Sequence, residues 1–172
     1  MEEIKMLFGF GKKKKAEQEA KDIKKEVVEK KPLLMKENIV LNCERMEKND
    51  TIRKVGQILV DSGYVKEDYI EGMIARELTF STNMGNCIAL PHGTNNVKKE
   101  VLASGIAVLT FPEGTDWGGE DVKLVIGIAG VGDEHLEILA NIATKLVSME
   151  EVDKLVNGNS VDLIYDTFMK ED

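Results

Sequence analysis

Two histidines are the residues of this chain whose type and surroundings indicate chemistry. His92 lies in the stretch GNCIALPHGT, residues 85–94, where an apolar run leads into Pro91 and Gly93 follows the histidine. Proline fixes its own φ and pushes Leu90 toward an extended conformation, whereas glycine lets the backbone turn sharply beside the imidazole. The stretch therefore predicts a strand that ends in a constrained turn and presents a ring nitrogen of His92 to the outside.

His135 follows a second apolar run, residues 122–129, and lies in the first turn of a predicted helix. In an open α/β sheet ligands bind at the carboxyl ends of strands, and a helix N-terminus offers free N–H donors and partial positive charge to an anion. The same field favours a neutral imidazole. We therefore expect His92 and His135 to converge at one edge of the sheet. The alternative that remains open here is that each is a surface histidine or a structurally satisfied one.

Phosphoryl transfer is a reaction that such a pair of histidines could support. A neutral imidazole is a nucleophile near pH 7, and phosphoryl transfer requires positioning and charge neutralisation more than covalent machinery. Arg76, in the last turn of a predicted helix, could clamp phosphate oxygens with its planar guanidinium. The alternative for Arg76 is an ordinary surface arginine at a helix end. The residues permit this chemistry without selecting it.

Other common chemistries lack their motifs. The chain contains no glycine-rich nucleotide-binding loop and no serine in a nucleophile elbow. Two histidines alone do not indicate zinc, because a catalytic site would require a third protein ligand. The two cysteines are too few for a disulfide framework and are expected to be reduced thiols.

Helical and extended patterns alternate along the chain. The expected strands are residues 39–41, 87–90, 103–110 and 122–129, with residues 111–120 as a connection. The expected helices begin at Asp50 or Thr51 and end at Gly63, then cover residues 66–77, 134–147, 148–156 and a last segment capped by Ser160. The interleaving predicts an α/β fold with a mixed parallel and antiparallel central β-sheet flanked by α-helices.

Composition separates the chain into two parts. Residues 1–32 form a lysine-rich N-terminal extension with ten lysines and seven acids, expected to be partly helical or disordered, and residues 33–172 form the domain. A thin apolar stripe in the extension is typical of either a membrane-surface or partner-docking helix or a solvated, partly helical segment. The domain carries 13 basic and 24 acidic residues, a net charge of −11. This acidity disfavours nucleic acid as a partner and suits a partner with a basic face.

The chain is expected to be cytoplasmic and not to insert into a membrane. No apolar run approaches the roughly 20 residues that span a bilayer. The N-terminal residues lack the apolar region and small-residue cleavage site of a secretory signal.

Three separated segments resemble those of a known family. They are residues 75–94 (ARELTFSTNMGNCIALPHGT), 111–114 (FPEG) and 124–139 (LVIGIAGVGDEHLEIL). In this order they resemble the enzyme IIA domains of the mannitol/fructose type of the bacterial sugar phosphotransferase system, and most of all the mannitol branch. The resemblance extends from residue 33 onward and implies the mixed-sheet fold of those domains.

The resemblance implies a phosphotransferase that acts through a phosphohistidine. His92 matches the family's phosphorylated histidine, which accepts a phosphoryl group from phospho-HPr and passes it to a cysteine of the cognate IIB component. This relay drives the uptake and phosphorylation of mannitol or a related sugar through the IIC permease. His135 matches the second active-site histidine, which orients and stabilises the reacting group, and Arg76 matches an arginine that clamps phosphate. The resemblance implies no metal and no cofactor.

Two alternative functions remain open on the sequence. Nitrogen-branch proteins share this fold and histidine, and they bind targets according to their phosphorylation state, so the chain could be regulatory. A structural or sensory domain whose histidine is never phosphorylated is the alternative from another class.

Overall fold

The computed structural model describes residues 31–170 of a chain that divides into two units, residues 1–31 and 32–172. The predicted extension, residues 1–32, lies outside the described residues except for its last two positions. Its partly helical or disordered character therefore stays a prediction. Within residues 31–170 no helix is both long enough and apolar enough to cross a bilayer.

A five-stranded mixed sheet forms the centre of the second unit. Its strands are β1 (Ile39–Val40), β2 (Asn83–Gly85), β3 (Ile88–Ala89), β4 (Gly105–Asp116) and β5 (Asp121–Ala129), in the order β1-β4-β5-β3-β2. The pairs β4–β5 and β2–β3 are antiparallel, whereas β1–β4 and β3–β5 are parallel. The predicted mixed sheet and α/β class are confirmed.

Helices cover both faces of the sheet. They are α1 (Lys48–Asp61), α2 (Asp68–Thr79), α3 (Glu134–Lys145), α4 (Met149–Asn157) and α5 (Val161–Met169), with 3-10 helices at Lys36–Asn38 and Asn95–Glu100. Buried side chains of β4 alternate in direction, as strand geometry requires. Ile106 and Val108 pack in the cluster that includes α3, α4 and α5, and Ala107 and Leu109 pack in the cluster that includes α1 and α2.

Helix α1 begins earlier than the sequence predicts. It starts at Lys48, and Thr51 is a buried residue inside the helix whose hydroxyl donates to the Glu47 carbonyl at 3.1 Å. The predicted N-cap at Asp50 or Thr51 was therefore wrong, because the Thr51 hydroxyl bonds back to the preceding turn. The predicted end was right, since Gly63 adopts a φ of 79° just after the helix.

Strand β4 is longer than the sequence predicts. The prediction of a connection over residues 111–120 was wrong for residues 111–116, because β4 continues through the proline and glycine of that segment, and right for residues 117–120, which join β4 to β5. The register with β5 shifts between Thr110 and Thr115, and Gly114 adopts a φ of 79° within the shift. A bulge absorbs residues that cannot join a regular ladder, so Pro112 and Gly114 interrupt the pairing without ending the strand.

Helix α3 buries a stripe that matches the predicted one only in part. The sequence favours a core face that includes Leu136, Leu146 and Val147; Leu146 is buried as predicted, but Leu136 and Val147 are 57% and 69% exposed. Ile138 and Ile142, which the prediction left out, are buried as well. The helix carries two apolar stripes at helical spacing, and only packing against the sheet selects between them.

The short C-terminal helices begin where the sequence predicts. The side chains of Ser148 and Ser160 accept hydrogen bonds from the backbone N–H groups of Glu151 and Leu163. Leu163 itself is 40% exposed, so its predicted core position was wrong. The two caps satisfy free N–H groups at the starts of α4 and α5, and buried side chains of both helices pack in the same cluster as those of α3.

Candidate active site

Strand β3 carries the chain to His92 beside the carboxyl end of β5. The Pro91 carbonyl accepts a hydrogen bond from Ile128 N–H at 3.0 Å, and His92 forms an isolated parallel bridge with Ile128. The extended conformation predicted for residues 87–90 holds for Ile88–Ala89 but not for Cys87, whose φ is 62°. Cys87 lies in the turn that joins β2 to β3, and this turn requires the left-handed conformation.

Strand β5 leads to His135 in the first turn of α3. A Cβ atom on Gly130 would lie 2.2 Å from the His135 backbone nitrogen, so only glycine permits this close approach. The His135 Nδ1 atom lies 3.2 Å from the Gly132 carbonyl oxygen. The ring centroids of His92 and His135 are 6.3 Å apart. The two histidines thus meet at the carboxyl ends of β3 and β5.

A hydrogen bond fixes the orientation of the His92 ring. Nδ1 lies 2.9 Å from the Leu90 carbonyl oxygen. A carbonyl only accepts hydrogen bonds, so Nδ1 carries the proton and Nε2 keeps its lone pair in the neutral ring. The geometry therefore leaves Nε2 as the nucleophilic atom.

The surroundings of His92 lower its pKa below the ordinary value of 6.5. Burial is the largest cause of the lowered pKa, and the charges of Arg76 and His135 lower it further. The hydrogen bond to Leu90 and the charge of Glu77 act in the opposite direction and raise the pKa. A lowered pKa keeps the imidazole neutral at pH values near 7. His92 is thus held in the protonation state that a nucleophile requires.

Arg76 lies close enough for His92 to experience its charge, but it does not line the cleft between the two histidines. Its Nη1 atom donates to the Phe80 carbonyl at 2.7 Å. The guanidinium is half-buried at the C-terminus of α2. The structure therefore brings His92 and His135 into direct proximity and places Arg76 at the margin of the same site.

The hydroxyl of Tyr69 joins the His92 turn to β5. It donates to the Ile128 carbonyl at 2.6 Å and accepts a hydrogen bond from Gly93 N–H at 2.9 Å. Burial raises the pKa of Tyr69 to about 12, so the hydroxyl keeps its proton. A Cβ atom on Gly93 would lie 2.6 Å from the Tyr69 ring, which means that Gly93 is required for this packing.

We expect Tyr69→Phe to destabilise the fold by about 1–3 kcal/mol, because it leaves Gly93 N–H and the Ile128 carbonyl without their buried partner. The free energy of unfolding from denaturant titration measures the effect. Tyr165→Phe, on α5, is the matched control. Equal stability of the Tyr69→Phe variant and the parent chain would contradict the role of this hydroxyl.

Sequence reasoning missed three residues of the site. Tyr69 was expected only as part of a buried stripe, Glu77 received no role, and Lys98 was not considered. The side chain of Glu77 is 1% exposed and Lys98 lines the cleft between the histidines. The sequence does contain one signal for Glu77: it lies on the core-facing side of α2, and a buried carboxylate requires hydrogen-bond donors or a positive charge beside it. The residues that line the cleft are Tyr69, His92, Gly93, Thr94, Lys98, Val101, Gly130 and His135.

Large apolar side chains are exposed next to the site. Leu78 and Phe80 follow Arg76 at the end of α2 and are 78% and 75% exposed, and Leu136 follows His135. We call these three residues the apolar rim. Among residues 31–170, no three His, Cys, Asp or Glu side chains are grouped in a way that could hold a metal ion.

Comparison with known proteins gives the family. The profile of the phosphoenolpyruvate-dependent sugar phosphotransferase system, EIIA 2, matches residues 32–171. The chain belongs to this family. The EIIA 2 match covers both histidines and all five strands.

Individual known proteins are similar to the chain over most of their length. The chain is 50% identical over 129 residues to the mannitol-specific phosphotransferase enzyme IIA component of Bacillus subtilis, covering 74% of this chain and 90% of the relative. The enzyme IIAMTL in a complex with phosphorylated enzyme IIBMTL from Escherichia coli is 34% identical, with a TM-score of 0.74, covering 78% of this chain and 96% of that one. The nitrogen regulatory protein IIA-Ntr from Neisseria meningitidis is 25% identical, with a TM-score of 0.67, covering 79% and 96%.

Proposed function

We propose that this chain carries phosphoryl groups in a mannitol-type sugar phosphotransferase system. His92 accepts a phosphoryl group from phospho-HPr and passes it to a cysteine of the cognate IIB component, which drives the uptake and phosphorylation of mannitol or a related sugar. The observation that carries the proposal is the pair of imidazoles 6.3 Å apart, with His92 Nδ1 bonded to Leu90. The mannitol-specific relatives support the choice of substrate branch.

In the first step Nε2 of His92 attacks the phosphorus atom of the donor. The bond from phosphorus to the HPr histidine breaks as the bond to Nε2 forms, and no water takes part. In the second step the thiolate of the IIB cysteine attacks the same phosphorus, and Nε2 leaves with its lone pair. The charge on the three phosphoryl oxygens must be neutralised throughout, because phosphoryl transfer depends on positioning and electrostatics.

We propose that His135 stabilises the phosphoryl group on His92. Its Nδ1 faces the Gly132 carbonyl at 3.2 Å, which sets the direction of the ring. In this proposal an N–H group of the His135 ring donates to an oxygen of the phosphoryl group on His92. A charge-assisted hydrogen bond of this kind strengthens as the group binds.

The apolar rim and the acidic domain fit docking of a protein donor. Leu78, Phe80 and Leu136 offer apolar area beside the nucleophile, and area of this kind excludes water from an interface. The net charge of −11 over residues 33–172 attracts a basic docking face over long range. The relative in the complex with phosphorylated IIBMTL supports a IIB partner for this chain. The proposed relay also requires HPr as the phosphoryl donor and the IIC permease as the component that transports the sugar.

We expect Arg76→Gln to slow phosphoryl transfer by about ten- to a hundredfold, because the variant removes the guanidinium charge that reaches His92. The rate of phosphorylation by phospho-HPr measures the effect. Arg53→Gln is the matched control, since Arg53 pairs with exposed Glu71 on the surface. An Arg76→Gln rate equal to that of the control would show that Arg76 only ends α2.

We also propose the division of the chain into a lysine-rich extension, residues 1–32, and an enzyme IIA domain, residues 33–172, located in the cytoplasm. The family match over residues 32–171 supports this boundary. Removal of residues 1–31 should leave phosphorylation of His92 unchanged if the extension takes no part in the chemistry.

Onward transfer distinguishes transport from regulation. The 25% identity to a nitrogen regulatory protein keeps a regulatory role as the second proposal. The test mixes the phosphorylated chain with a mannitol-type IIB component and follows the labelled phosphoryl group. Transfer to the IIB cysteine supports the transport function. Stable phosphorylation without transfer favours the regulatory function, and a chain that is never phosphorylated favours a structural domain.

A further inference from the structure

Glu77 is a buried carboxylate that lies outside the cleft of the two histidines. Its side chain is 1% exposed. It accepts hydrogen bonds from the Thr82 backbone N–H at 3.0 Å, from the Thr82 hydroxyl, and from Trp117 Nε1 at 2.9 Å. Lys48 Nζ lies 3.8 Å from the same carboxylate. A charge is costly to bury unless it is paired and hydrogen-bonded, and this carboxylate has three hydrogen-bond donors and one nearby lysine.

These hydrogen bonds continue from Glu77 to the nucleophile. Glu77 holds Thr82, and the Thr82 carbonyl accepts a hydrogen bond from Leu90 N–H at 3.0 Å. The Leu90 carbonyl in turn accepts the hydrogen bond from His92 Nδ1. One residue therefore anchors the segment whose carbonyl selects the tautomer of His92.

The same carboxylate also fixes the end of α2 that carries the arginine. Glu77 follows Arg76 directly, and Arg76 Nη1 donates to the carbonyl of Phe80, between Glu77 and Thr82 in the chain. The contact of Glu77 with Thr82 closes this loop back onto the helix. Trp117, from the turn between β4 and β5, ties the loop to the sheet.

We propose that Glu77 is a positioning residue for phosphoryl transfer, which acts through Thr82 and Leu90 to hold the His92 ring and through the end of α2 to hold Arg76. This inference rests on the proposed function of His92. An apolar residue of similar size would fill the space, but it would not hold Thr82 and Trp117 in place at the same time. The carboxylate thus links the nucleophile and the phosphate clamp to one anchor.

The test is Glu77→Gln. Glutamine keeps the shape of the side chain, but its NH₂ group cannot accept the hydrogen bonds that Thr82 and Trp117 donate. We expect kcat for phosphorylation by phospho-HPr to fall about tenfold or more while KM stays within about twofold, because docking is untouched. The ring ¹⁵N shifts of His92 should lose the signature of a fixed Nδ1–H tautomer. Glu71→Gln, on the exposed face of the same helix, is the matched control.

A second pair of variants keeps the test decisive if Glu77→Gln does not fold. Thr82→Val removes only the hydroxyl bond to Glu77 and should reduce kcat, whereas Thr82→Ser keeps that bond and should restore it. Unchanged kcat and unchanged His92 ring shifts in Glu77→Gln or in Thr82→Val would overturn the proposal. The ring shifts of His92 are measured without a phosphoryl donor, so they test the role of Glu77 independently of phosphorylation. A parent chain that is never phosphorylated would overturn the proposed function and not the role of Glu77.

Discussion

Replacement of His92 by alanine is expected to abolish phosphorylation by phospho-HPr altogether. The variant removes Nε2 of His92, the atom that we propose as the nucleophile, whose ring is oriented by Leu90. The chain has one other histidine, His135, whose ring faces the same cleft. A gel shift or label incorporation after incubation with enzyme I, HPr and phosphoenolpyruvate measures the loss.

The fold should survive this substitution. The His92 side chain contributes one hydrogen bond to the Leu90 carbonyl, so the expected loss is about 1 kcal/mol of unfolding free energy. An unfolding titration of the variant is therefore the control for the activity result. A folded His92→Ala chain that still takes up label at the parent rate would overturn the assignment of the acceptor.

Replacement of His135 by alanine is expected to slow phosphorylation of His92 about a hundredfold. The centroid of its imidazole lies 6.3 Å from that of the His92 ring, and removal of one donor to a developing charge typically costs this much. Single-turnover kinetics with phospho-HPr measures the rate. Because the side chain lies at the start of α3 and is only half-buried, the fold should remain intact.

Glu137→Ala is the matched control on the same turn of α3, where the side chain is exposed. It should transfer at the parent rate. If the His135→Ala chain also transfers at that rate, His135 is a bystander and the cleft contains a single functional imidazole.

The possible convergence of the histidines was predicted from the strands that precede them, but the parallel pairing of β3 with β5 that brings them together was not. Any fold in which two parallel strands each lead to a histidine brings their carboxyl ends to one edge. β3 and β5 are such a pair, and His92 and His135 follow them. The presence of α1 and α2 was predicted because each has a single apolar stripe, although α1 begins earlier than predicted.

The errors occur where local patterns leave two solutions. Helix α3 has two apolar stripes, and only the sheet decides that Ile142 is buried while Leu136 is exposed. Strand β4 contains a proline and a glycine, a pattern that predicts a turn. In the structure the strand remains paired with β5 on both sides of these residues, which lie in a bulge.

The supporting residues of the site could not be predicted from the sequence. The Tyr69 hydroxyl joins Gly93 to Ile128, and the Glu77 carboxylate joins Thr82 to Trp117. These partners are distant in sequence, and no local pattern records which backbone group will lie opposite a buried polar atom. Only the assembled sheet provides that information.

The measurement that tests the central claim most directly is the mass of the intact chain after incubation with enzyme I, HPr and phosphoenolpyruvate. Fragmentation under conditions that preserve phosphohistidine then locates the modification. The geometry predicts one added phosphoryl group per chain, on His92. A chain that gains no mass, or that gains it on a residue other than His92, would contradict the phosphoryl relay.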